Sequence, residues 1–387
     1  MKNHTPTDTM RCISLMTGTS CDGVDAVLVT FNINKETIEH RLESYHHFDM
    51  DPAYQSMARK VFERENIRDG FVLGKMLSQK YVECIHQVLL DHQITDPSQI
   101  NFVCVSGHTL FHLPPHKEQN GLTIDTTDLS LIAALTNITT IGRFRQKDMA
   151  FGGHGAPLVP FAHGRLFGMN NEITLVQNMG GIGNVTLLDQ DQTLLGFDTG
   201  IGNAWMDQVM KWHSNATYDD QGKIAKKGSV DKSVVDELLM HPFFQQKPPK
   251  STGLETLGLT YLQNFQNKLT KMRHEDAMAT VTYATAKTVA DAYQDFILSS
   301  YNPKHVIVCG GGAFNKTFLF MLSEMLPDIQ IQTSLDYDIH PQAVEALCFA
   351  YLGLFQVQGK NNVYARITGS FKDNMGGEIA HADPSGL

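Results

Sequence analysis

The chain has no hydrophobic run of about 18 residues, the length that a membrane-spanning helix needs. Its polar N-terminus, MKNHTPTDTM, lacks the apolar core of a signal peptide. A strong positive charge is also missing, because the formal net charge is −10 and no long basic run occurs. We therefore expect a cytoplasmic protein that binds neither membranes nor nucleic acid.

Cysteine is scarce, and its spacing is uninformative. The six cysteines include no C-x-x-C pair, so the sequence indicates neither a zinc site nor a disulfide framework. We expect small buried hydrophobic side chains in a reducing compartment. The G-x-x-x-x-G-K-[ST] motif of P-loop kinases and a well-placed G-x-G-x-x-G dinucleotide motif are absent too. Any nucleotide must therefore be bound by another arrangement.

Length and hydrophobic content set the scale of the fold. At 387 residues, with 42% hydrophobic and 19% charged residues, the chain can bury a core and suits two domains of roughly 150–200 residues. A strand, a glycine turn and a second strand are predicted over residues 11–31, and the same order recurs over 173–189. Helical periodicity follows in both halves, as in 52–92 and 277–300.

This duplicated order is the one in which actin and the sugar kinases are built. We therefore predict an α/β fold with two ribonuclease-H-like domains, the actin-like ATPase or sugar-kinase architecture, and an active site in the interdomain cleft. The predicted N-terminal domain covers residues 1–137 and is completed by the C-terminal segment 356–387. The predicted C-terminal ATPase domain covers residues 138–355.

The first glycine turn, TGTSCDG, is a candidate phosphate-binding loop. Small residues let backbone N–H groups approach phosphate oxygens, and hydroxyl groups add donors. Asp22 and Asp25 could order the turn or hold Mg²⁺ through water. The alternative is an ordinary hairpin turn, since TG and DG are common turn pairs. The candidates are Gly18, Thr19, Ser20, Asp22, Gly23 and Asp25.

Two further glycine turns lie in the second half of the chain. Gly180, Gly181, Gly183 and Asn184 repeat the first turn, and the duplication favours a grip on a phosphate chain from both sides. Gly310, Gly311 and Gly312 follow the strand HVIVC, where a base or ribose could lie at a helix N-terminus and Asn315 could bond the nucleotide. The alternative for this last turn is a tight strand-to-helix connection.

The segment GFDTGIGN places Asp198 at the end of an apolar strand. Phosphoryl transfer needs a positioned base, which Asp198 could supply. It could instead cap the helix AWMDQVMKW, but Asn203 is closer to that helix and is the better cap. Two loops are further candidates for the active site. One is GGHGAPLVP (152–160), with His154, and the other is PPKSTG (248–253), whose lysine could lie at the edge of a phosphate group.

Taken together, these motifs resemble the anhydro-N-acetylmuramic acid kinase family. LMTGTSCDGVDAVL resembles its opening L-M-S-G-T-S-x-D-G-V-D, and GGHGAPLVPFAH resembles G-G-Q-G-A-P-L-V-P-x-F-H. QNMGGIGNVTLL and GFDTGIGNAWMD are similar to N-I-G-G-I-A-N-V-x-L-L and G-x-D-T-G-P-G-N-x-L-M-D. PPKSTG, CGGGAFN and EALCFAYL complete an ordered series over most of the chain.

The resemblance implies an ATP-dependent enzyme of peptidoglycan recycling and amino sugar catabolism. ATP would phosphorylate O6 of a 1,6-anhydro sugar while water opens the bridge at C1, giving N-acetylmuramic acid 6-phosphate. Asp198 would activate that water, and Mg²⁺ would be carried mainly by ATP. A homodimer is also implied. The family's ATP segment falls on Gly18, Thr19, Ser20, Cys21, Asp22, Gly23, Val24 and Asp25.

The departures from the family pattern lie on the sugar side. The family's S-H-G-Q-T is Ser106-Gly107-His108-Thr109 here, and its other two sugar-side segments are altered at 123–126 and 143–148. Thr109 and Arg145, with Asp198, are the predicted substrate-binding residues. These changes leave open a kinase for another 1,6-anhydro sugar, such as levoglucosan. An alternative of another class is a catalytically inactive, actin-like nucleotide-binding regulatory protein.

Overall fold

The computed structural model describes residues 8–18, 21–34, 37–64, 66–115, 121–168, 172–214 and 216–383. Thr19 and Ser20, two of the predicted phosphate-binding residues, lie outside the described residues. The chain divides into two compact units. The first comprises Met1–Gly155, Glu345–Ala365 and Ser370–Leu387, and the second comprises Ala156–Val344 and Arg366–Gly369.

The strands and α-helices are numbered here in chain order. The strands are β1 Asp8–Met16, β2 Gly23–Ile33, β3 Ile38–Asp49, β4 Phe102–Val105, β5 Thr109–Leu113, β6 Leu122–Asp125, β7 Thr140–Gly142, β8 Ile173–Met179, β9 Ile182–Asp189, β10 Gln192–Ile201, β11 His305–Cys309, β12 Gln330–Thr333 and β13 Glu378–Ala380. The helices are α1 Pro52–Arg64, α2 Ile67–Asp91, α3 Leu129–Thr136, α4 Gln146–Ala150, α5 Pro160–Phe167, α6 Ala204–His213, α7 Lys232–Leu238, α8 Leu254–Leu257, α9 Leu259–Gln263, α10 Gln266–Leu269, α11 His274–Phe296, α12 Lys316–Met325, α13 Ala343–Val357 and α14 Ala365–Thr368.

The sheet of the first unit has the order β13-β7-β4-β1-β2-β3. Strands β1, β2 and β3 are antiparallel neighbours, whereas β4 runs parallel to β1 and to β7. Successive side chains point to opposite faces of the sheet. On one face, Ile13 and Leu15 lie in an apolar cluster with Tyr81 of α2. On the other, Gly353 of α13 comes so close to Phe102 that an added Cβ would lie 2.9 Å from the ring.

The sheet of the second unit has the order β10-β9-β8-β11-β12. Strands β8, β9 and β10 are antiparallel neighbours, and β11 runs parallel to β8 and to β12. Val185 and Leu187 of β9 share an apolar cluster with Tyr293 of α11. On the opposite face, Nδ1 of His163 in α5 lies 2.7 Å from Oγ1 of Thr186. A separate cluster, which includes Trp205, Leu238, Leu262 and Met278, forms the core of the helices around α6 and α11.

In both sheets, three antiparallel strands are continued by two parallel ones. The strands are β3-β2-β1-β4-β7 in the first unit and β10-β9-β8-β11-β12 in the second, which is the ribonuclease-H-like order. The predicted α/β fold class with two such units is confirmed. The bounds of the two units differ from the predicted domain bounds, and the contacts of β7 and α13 give the reason. Residues 140–142 form β7, which pairs with β4 and β13, so the first unit extends to Gly155. In α13, Tyr351 packs against Phe31 with ring centroids 4.9 Å apart, so this helix joins the first unit from Glu345.

The local predictions differ from the structure in detail. The helical segment 52–92 is two helices, α1 and α2. The sequence reasoning also missed the edge strand β3 and the β5–β6 hairpin. None of the described helices is long and apolar enough to cross a membrane.

Candidate active site

Asp198 lies in β10 directly opposite Asn184 of β9, and its side chain is buried, with 5% exposure. The pairing of these strands shifts between Asp198 and Gly200, so Thr199 is an extra residue in β10. Such a bulge bends the strand and changes the direction of its side chains. Gln177 of β8 fixes the bulge by donating from Nε2 to Oγ1 of Thr199 at 3.2 Å.

The loop PPKSTG holds the Asp198 carboxylate. The backbone N–H of Thr252 donates to Oδ2 of Asp198 at 2.8 Å. The backbone N–H of Asp198 donates to the carbonyl oxygen of Lys250 at 3.1 Å. The sequence singled out this loop and this aspartate separately, and the structure brings them together.

Lys250, within that loop, is buried with 3% exposure. Its Nζ lies 3.4 Å from the carbonyl oxygen of Phe243 and 3.5 Å from that of Phe244. Burial lowers the pKa of Lys250 to about 8, although the carboxylates of Asp198 and Asp295 act in the opposite direction. The loop therefore holds a buried carboxylate through its backbone and also buries its own amine, whose pKa is lowered.

Asp198 does not cap α6. Asn203 occupies the N-cap position, as predicted, but its side chain makes no capping hydrogen bond. Its Nδ2 instead donates to the carbonyl oxygen of Met179 at 3.0 Å. Its backbone N–H donates to the carbonyl oxygen of Gly180 at 2.8 Å, which ties the start of α6 to the β8–β9 turn.

The two glycine turns of the second unit meet at this point. An added Cβ on Gly312 would lie 2.5 Å from Cβ of Met179, and one on Gly311 would lie 3.4 Å from Nδ2 of Asn203. Gly310 has a φ of +77° and an added Cβ there would lie 2.7 Å from Asn178 Oδ1, so this turn requires glycine. At Gly180, by contrast, an added Cβ would meet nothing closer than 3.7 Å. Glycine there keeps the backbone open to a ligand beside the N-terminus of α6, a position that suits anions.

Asn315 caps α12. Its Oδ1 accepts from the backbone N–H of Phe318 at 3.0 Å, and its Nδ2 lies 3.5 Å from Sδ of Met206. The sequence carried this signal, since an asparagine just before an apolar helix is a common N-cap. The predicted contact between Asn315 and a nucleotide stays a prediction.

The first glycine turn lies in the first unit, and Asp25, in β2 just after the turn, binds two side chains of the neighbouring strand β3. Oδ1 of Asp25 accepts from the hydroxyl of Tyr45 at 2.7 Å and contacts Nδ1 of His47 at 2.8 Å. The hydrogen bond to Asp25 raises the pKa of His47 above its usual value. An added Cβ on Gly23 would lie 2.4 Å from Cε1 of His47, so glycine is required for this packing. Val24 is fully buried in the core.

Cys21 connects that turn to the predicted sugar-side segments. It has a φ of 55°, and its backbone N–H donates to the carbonyl oxygen of Gly18 at 3.1 Å. Its Sγ lies 4.0 Å from Nε2 of His108. Burial raises the pKa of Cys21 to about 12 and lowers that of His108 to about 4, so both are uncharged at neutral pH.

The predicted sugar-binding residues Thr109 and Arg145 lie near one carboxylate, Asp125. Thr109 pairs with Asp125 across the β5–β6 hairpin. Burial raises the pKa of Asp125, and the hydrogen bonds from Thr127 and the charge of Arg145 act against that rise. Arg145 donates from Nη1 to the carbonyl oxygen of Gly155 at 2.7 Å. Gly107, with a φ of +70°, lies directly against the Asp125 carboxylate.

Asp148 organises the loop that contains His154. Its side chain is fully buried, with Oδ2 accepting from the backbone N–H of Gly155 at 2.8 Å and Oδ1 from Nδ2 of Asn374 at 2.9 Å. Burial lowers the pKa of His154, so the ring is neutral at physiological pH. Within the described ranges, no group of three or more histidine, cysteine, aspartate or glutamate residues could hold a metal ion.

The comparisons with known proteins agree on one family. The profile of the anhydro-N-acetylmuramic acid kinase family matches residues 10–382. The anhydro-N-acetylmuramic acid kinase of Caldanaerobacter subterraneus subsp. tengcongensis is 34% identical, over 95% of this chain and 96% of that protein. The one of Haemophilus influenzae is 36% identical, over 92% and 93%.

Solved structures overlap with the chain more loosely. A ROK family glucokinase from Streptomyces griseus aligns with 88% of this chain and 98% of its own, at 10% identity and a TM-score of 0.40. The family assignment therefore comes from sequence, and it is carried by matches that span nearly the whole chain. This chain belongs to the anhydro-N-acetylmuramic acid kinase family.

Proposed function

We propose that this chain uses ATP to convert 1,6-anhydro-N-acetylmuramic acid to N-acetylmuramic acid 6-phosphate, a step of cell-wall sugar recycling. The observation that carries the proposal is the Asp198 carboxylate, which is buried and is held by the N–H of Thr252 at 2.8 Å. It lies in a chain whose family match runs from residue 10 to residue 382. A fixed, buried carboxylate is the group that a reaction with water as nucleophile needs.

In the proposed mechanism, Asp198 accepts a proton from the water that attacks C1 of the sugar. The new bond joins the water oxygen to C1, and the bond from C1 to O6 breaks. O6 leaves the bridge with the electron pair that forms its bond to the γ-phosphorus of ATP. The bond from that phosphorus to the β,γ-bridging oxygen breaks, and ADP leaves with its electron pair. No base therefore has to remove a proton from O6. The hydrogen bond from Thr252 to Oδ2 holds the carboxylate in a fixed orientation.

The proposed nucleotide site uses the glycine turns and the start of α6. When bound, ATP supplies the phosphoryl group. Gly180, Gly181 and the turn 310–312 would lie against its phosphate or ribose, because the backbone at Gly180 is open and the 310–312 turn packs on Met179 beside it. Residues 18–25 and Asn184 are the other proposed contacts. Mg²⁺ is proposed to arrive bound to ATP.

The sugar is proposed to contact Thr109 and Arg145 in addition to Asp198. A second substrate, a plain 1,6-anhydrohexose such as levoglucosan, is favoured by one observation: Asp125 lies beside Thr109 and against Gly107. A carboxylate at that place would repel the acidic ether group of muramic acid. Turnover measured on both sugars decides between them.

The test is an ADP-release assay with and without 1,6-anhydro-N-acetylmuramic acid. We expect ADP release only with the sugar, and a 6-phosphorylated product that gains one ¹⁸O atom from H₂¹⁸O on the sugar carbon. If the chain binds ATP but neither anhydro sugar stimulates ADP release, the proposal is rejected and the regulatory alternative is favoured. Light scattering tests the proposed homodimer.

A further inference from the structure

We infer that Gln177 is a positioning residue for this reaction: its buried side-chain amide holds the backbone next to Asp198 and so fixes the position of the Asp198 carboxylate. The role in turnover rests on the proposed function. The effect on the position of Asp198 is a property of the folded second unit and does not depend on a substrate.

A series of three buried side chains ends at the β-bulge beside Asp198. The hydroxyl of Tyr293 in α11 donates to Oε1 of Gln177 at 2.8 Å. Nε2 of Gln177 donates to Oγ1 of Thr199 at 3.2 Å and to the backbone carbonyl oxygen of Asn178 at 3.1 Å. Tyr293 and Gln177 are fully buried, and Thr199 is 1% exposed. Hydrogen bonds therefore connect α11 and β8 to the residue that directly follows Asp198.

The surroundings of the Gln177 amide allow it one orientation. A backbone carbonyl oxygen can only accept a hydrogen bond, so Nε2 and not Oε1 must face that of Asn178. Oε1 then faces Tyr293, whose hydroxyl has to donate. Burial raises the pKa of Tyr293, so this hydroxyl keeps its proton. Thr199 is therefore presented with an N–H donor in a defined direction.

Both residues that flank Asp198 are anchored. Phe197 is fully buried in an apolar cluster, and Thr199 accepts from Gln177. Thr199 is also the extra residue of the bulge, which bends β10 and sets the direction of its side chains. The carboxylate accepts from the N–H of Thr252 at 2.8 Å, a contact that depends on where the bulge places it. Loss of the Gln177 hydrogen bond would therefore release the backbone on one side of Asp198.

The neighbouring strand leaves room for this contact at one glycine. An added Cβ on Gly183 of β9 would lie 2.9 Å from Oγ1 of Thr199 and 3.3 Å from Nε2 of Gln177. A purely structural role would not need the amide, because an apolar side chain of similar length fills a buried space without polar groups that must be satisfied. A buried network with every member satisfied specifies one geometry, which is what a catalytic base requires.

The predicted consequence is a loss of turnover without a loss of nucleotide affinity. Gln177→Met keeps the length of the side chain and removes its donor and acceptor. A displacement of about 1 Å at a catalytic group costs on the order of 10² in rate, so we expect kcat to fall by about 10- to 100-fold. The KM for ATP should stay within a few-fold, because Asp198 acts on water.

Tyr293→Phe tests the same network with a smaller change. It removes only the hydroxyl that orients the Gln177 amide. We expect kcat to fall by about two- to tenfold, the range for one neutral hydrogen bond.

The matched control, Thr186→Val, removes a buried hydroxyl from the same sheet without touching the bulge. Oγ1 of Thr186 in β9 lies 2.7 Å from Nδ1 of His163, and both residues are fully buried. Its loss should lower stability about as much as the loss of the Tyr293 hydroxyl. We expect kcat to stay at the wild-type value in this control. A general loss of stability predicts instead that all three variants lose turnover alike.

A second readout follows Asp198 without any substrate. Ser251-Thr252 is the only Ser-Thr pair in the sequence. Full-length protein labelled with ¹³C at the serine carbonyl and ¹⁵N at threonine therefore has one doubly labelled amide, the N–H that donates to Asp198. In Gln177→Met we expect its NMR signal to shift and its hydrogen exchange to become at least about tenfold faster. Tyr293→Phe should show a smaller change in the same direction, and Thr186→Val none.

Two outcomes overturn the inference. One is a Thr252 amide that is the same in Gln177→Met as in wild type, and the other is an equal change in Thr186→Val. If Gln177→Met does not fold, Tyr293→Phe must still move the Thr252 amide, or the inference fails.

Failure of the proposed function is separable from failure of this inference. A wild-type chain that releases no ADP with either anhydro sugar rejects the function, while the Thr252 amide still decides whether Gln177 positions Asp198. With an active wild type, an unchanged kcat in Gln177→Met rejects the role of Gln177 in turnover.

Discussion

Replacing Asp198 by asparagine removes a proton acceptor while keeping the shape of the side chain. The amide oxygen of the introduced asparagine could still accept from the N–H of Thr252, so the loop 248–253 should stay in place. The change therefore isolates the basicity and charge of the carboxylate. We expect kcat to fall by at least about 10³, which corresponds to about 4 kcal/mol in the barrier.

The same change should have a limited effect on stability. The contact that the change weakens is the hydrogen bond from the N–H of Thr252 to the carboxylate. A hydrogen bond to a charged group contributes about 1.5–3 kcal/mol, and the amide oxygen keeps part of it. We therefore expect a loss below about 3 kcal/mol in the free energy of unfolding. Urea denaturation measures this loss.

The assay is sugar-dependent ADP release at pH 7, together with ATP affinity from calorimetry. ATP affinity should stay within a few-fold of wild type, because Asp198 acts on water and not on the nucleotide. The matched control is Asp189→Asn, which neutralises an exposed carboxylate at the other end of the β9–β10 hairpin and should leave turnover unchanged. Wild-type-like turnover in Asp198→Asn would remove Asp198 from the mechanism.

Three further changes test other parts of the structure. His47→Gln removes an imidazole whose pKa is raised by Asp25. The stabilising effect of that imidazole should be present below about pH 6.5 and disappear at higher pH. If the urea midpoints of the variant and the wild type differ by the same amount at pH 6 and at pH 8.5, this prediction is contradicted. Asp148→Asn places an amide NH₂ group against one of the two donors, the N–H of Gly155 or Nδ2 of Asn374. This should lower the free energy of unfolding by about 1–3 kcal/mol. Urea denaturation measures the loss, and an unchanged midpoint would refute the role of Asp148. Asn315→Ala removes the N-cap of α12 and should lower the free energy of unfolding by about 1 kcal/mol. A rise of more than tenfold in the KM for ATP would support the predicted contact between Asn315 and the nucleotide. An unchanged KM would exclude that contact.

The larger features of the fold were readable from the sequence because they depend on local patterns. The strand–turn–strand openings at β1–β2 and β8–β9, the long helix α11 and the family assignment all come from periodicity, glycine turns and ordered motifs, and they are confirmed. The domain boundaries were less readable. β7 and α13 have ordinary local patterns, and only their pairing with β4 and their packing against Phe31 assign them to the first unit.

The candidate site divides in the same way. Glycine turns and a carboxylate after an apolar strand are local signals, so the sequence identified Asp198, Gly180 and Gly310 by itself. It also identified PPKSTG as a loop of interest, but not its partner. Only tertiary structure places Thr252 on the Asp198 carboxylate and encloses Lys250 in phenylalanine rings from three separate segments. Most of these contacts join residues about 50 positions apart, and their charges and pKa values depend on burial, which no local pattern specifies.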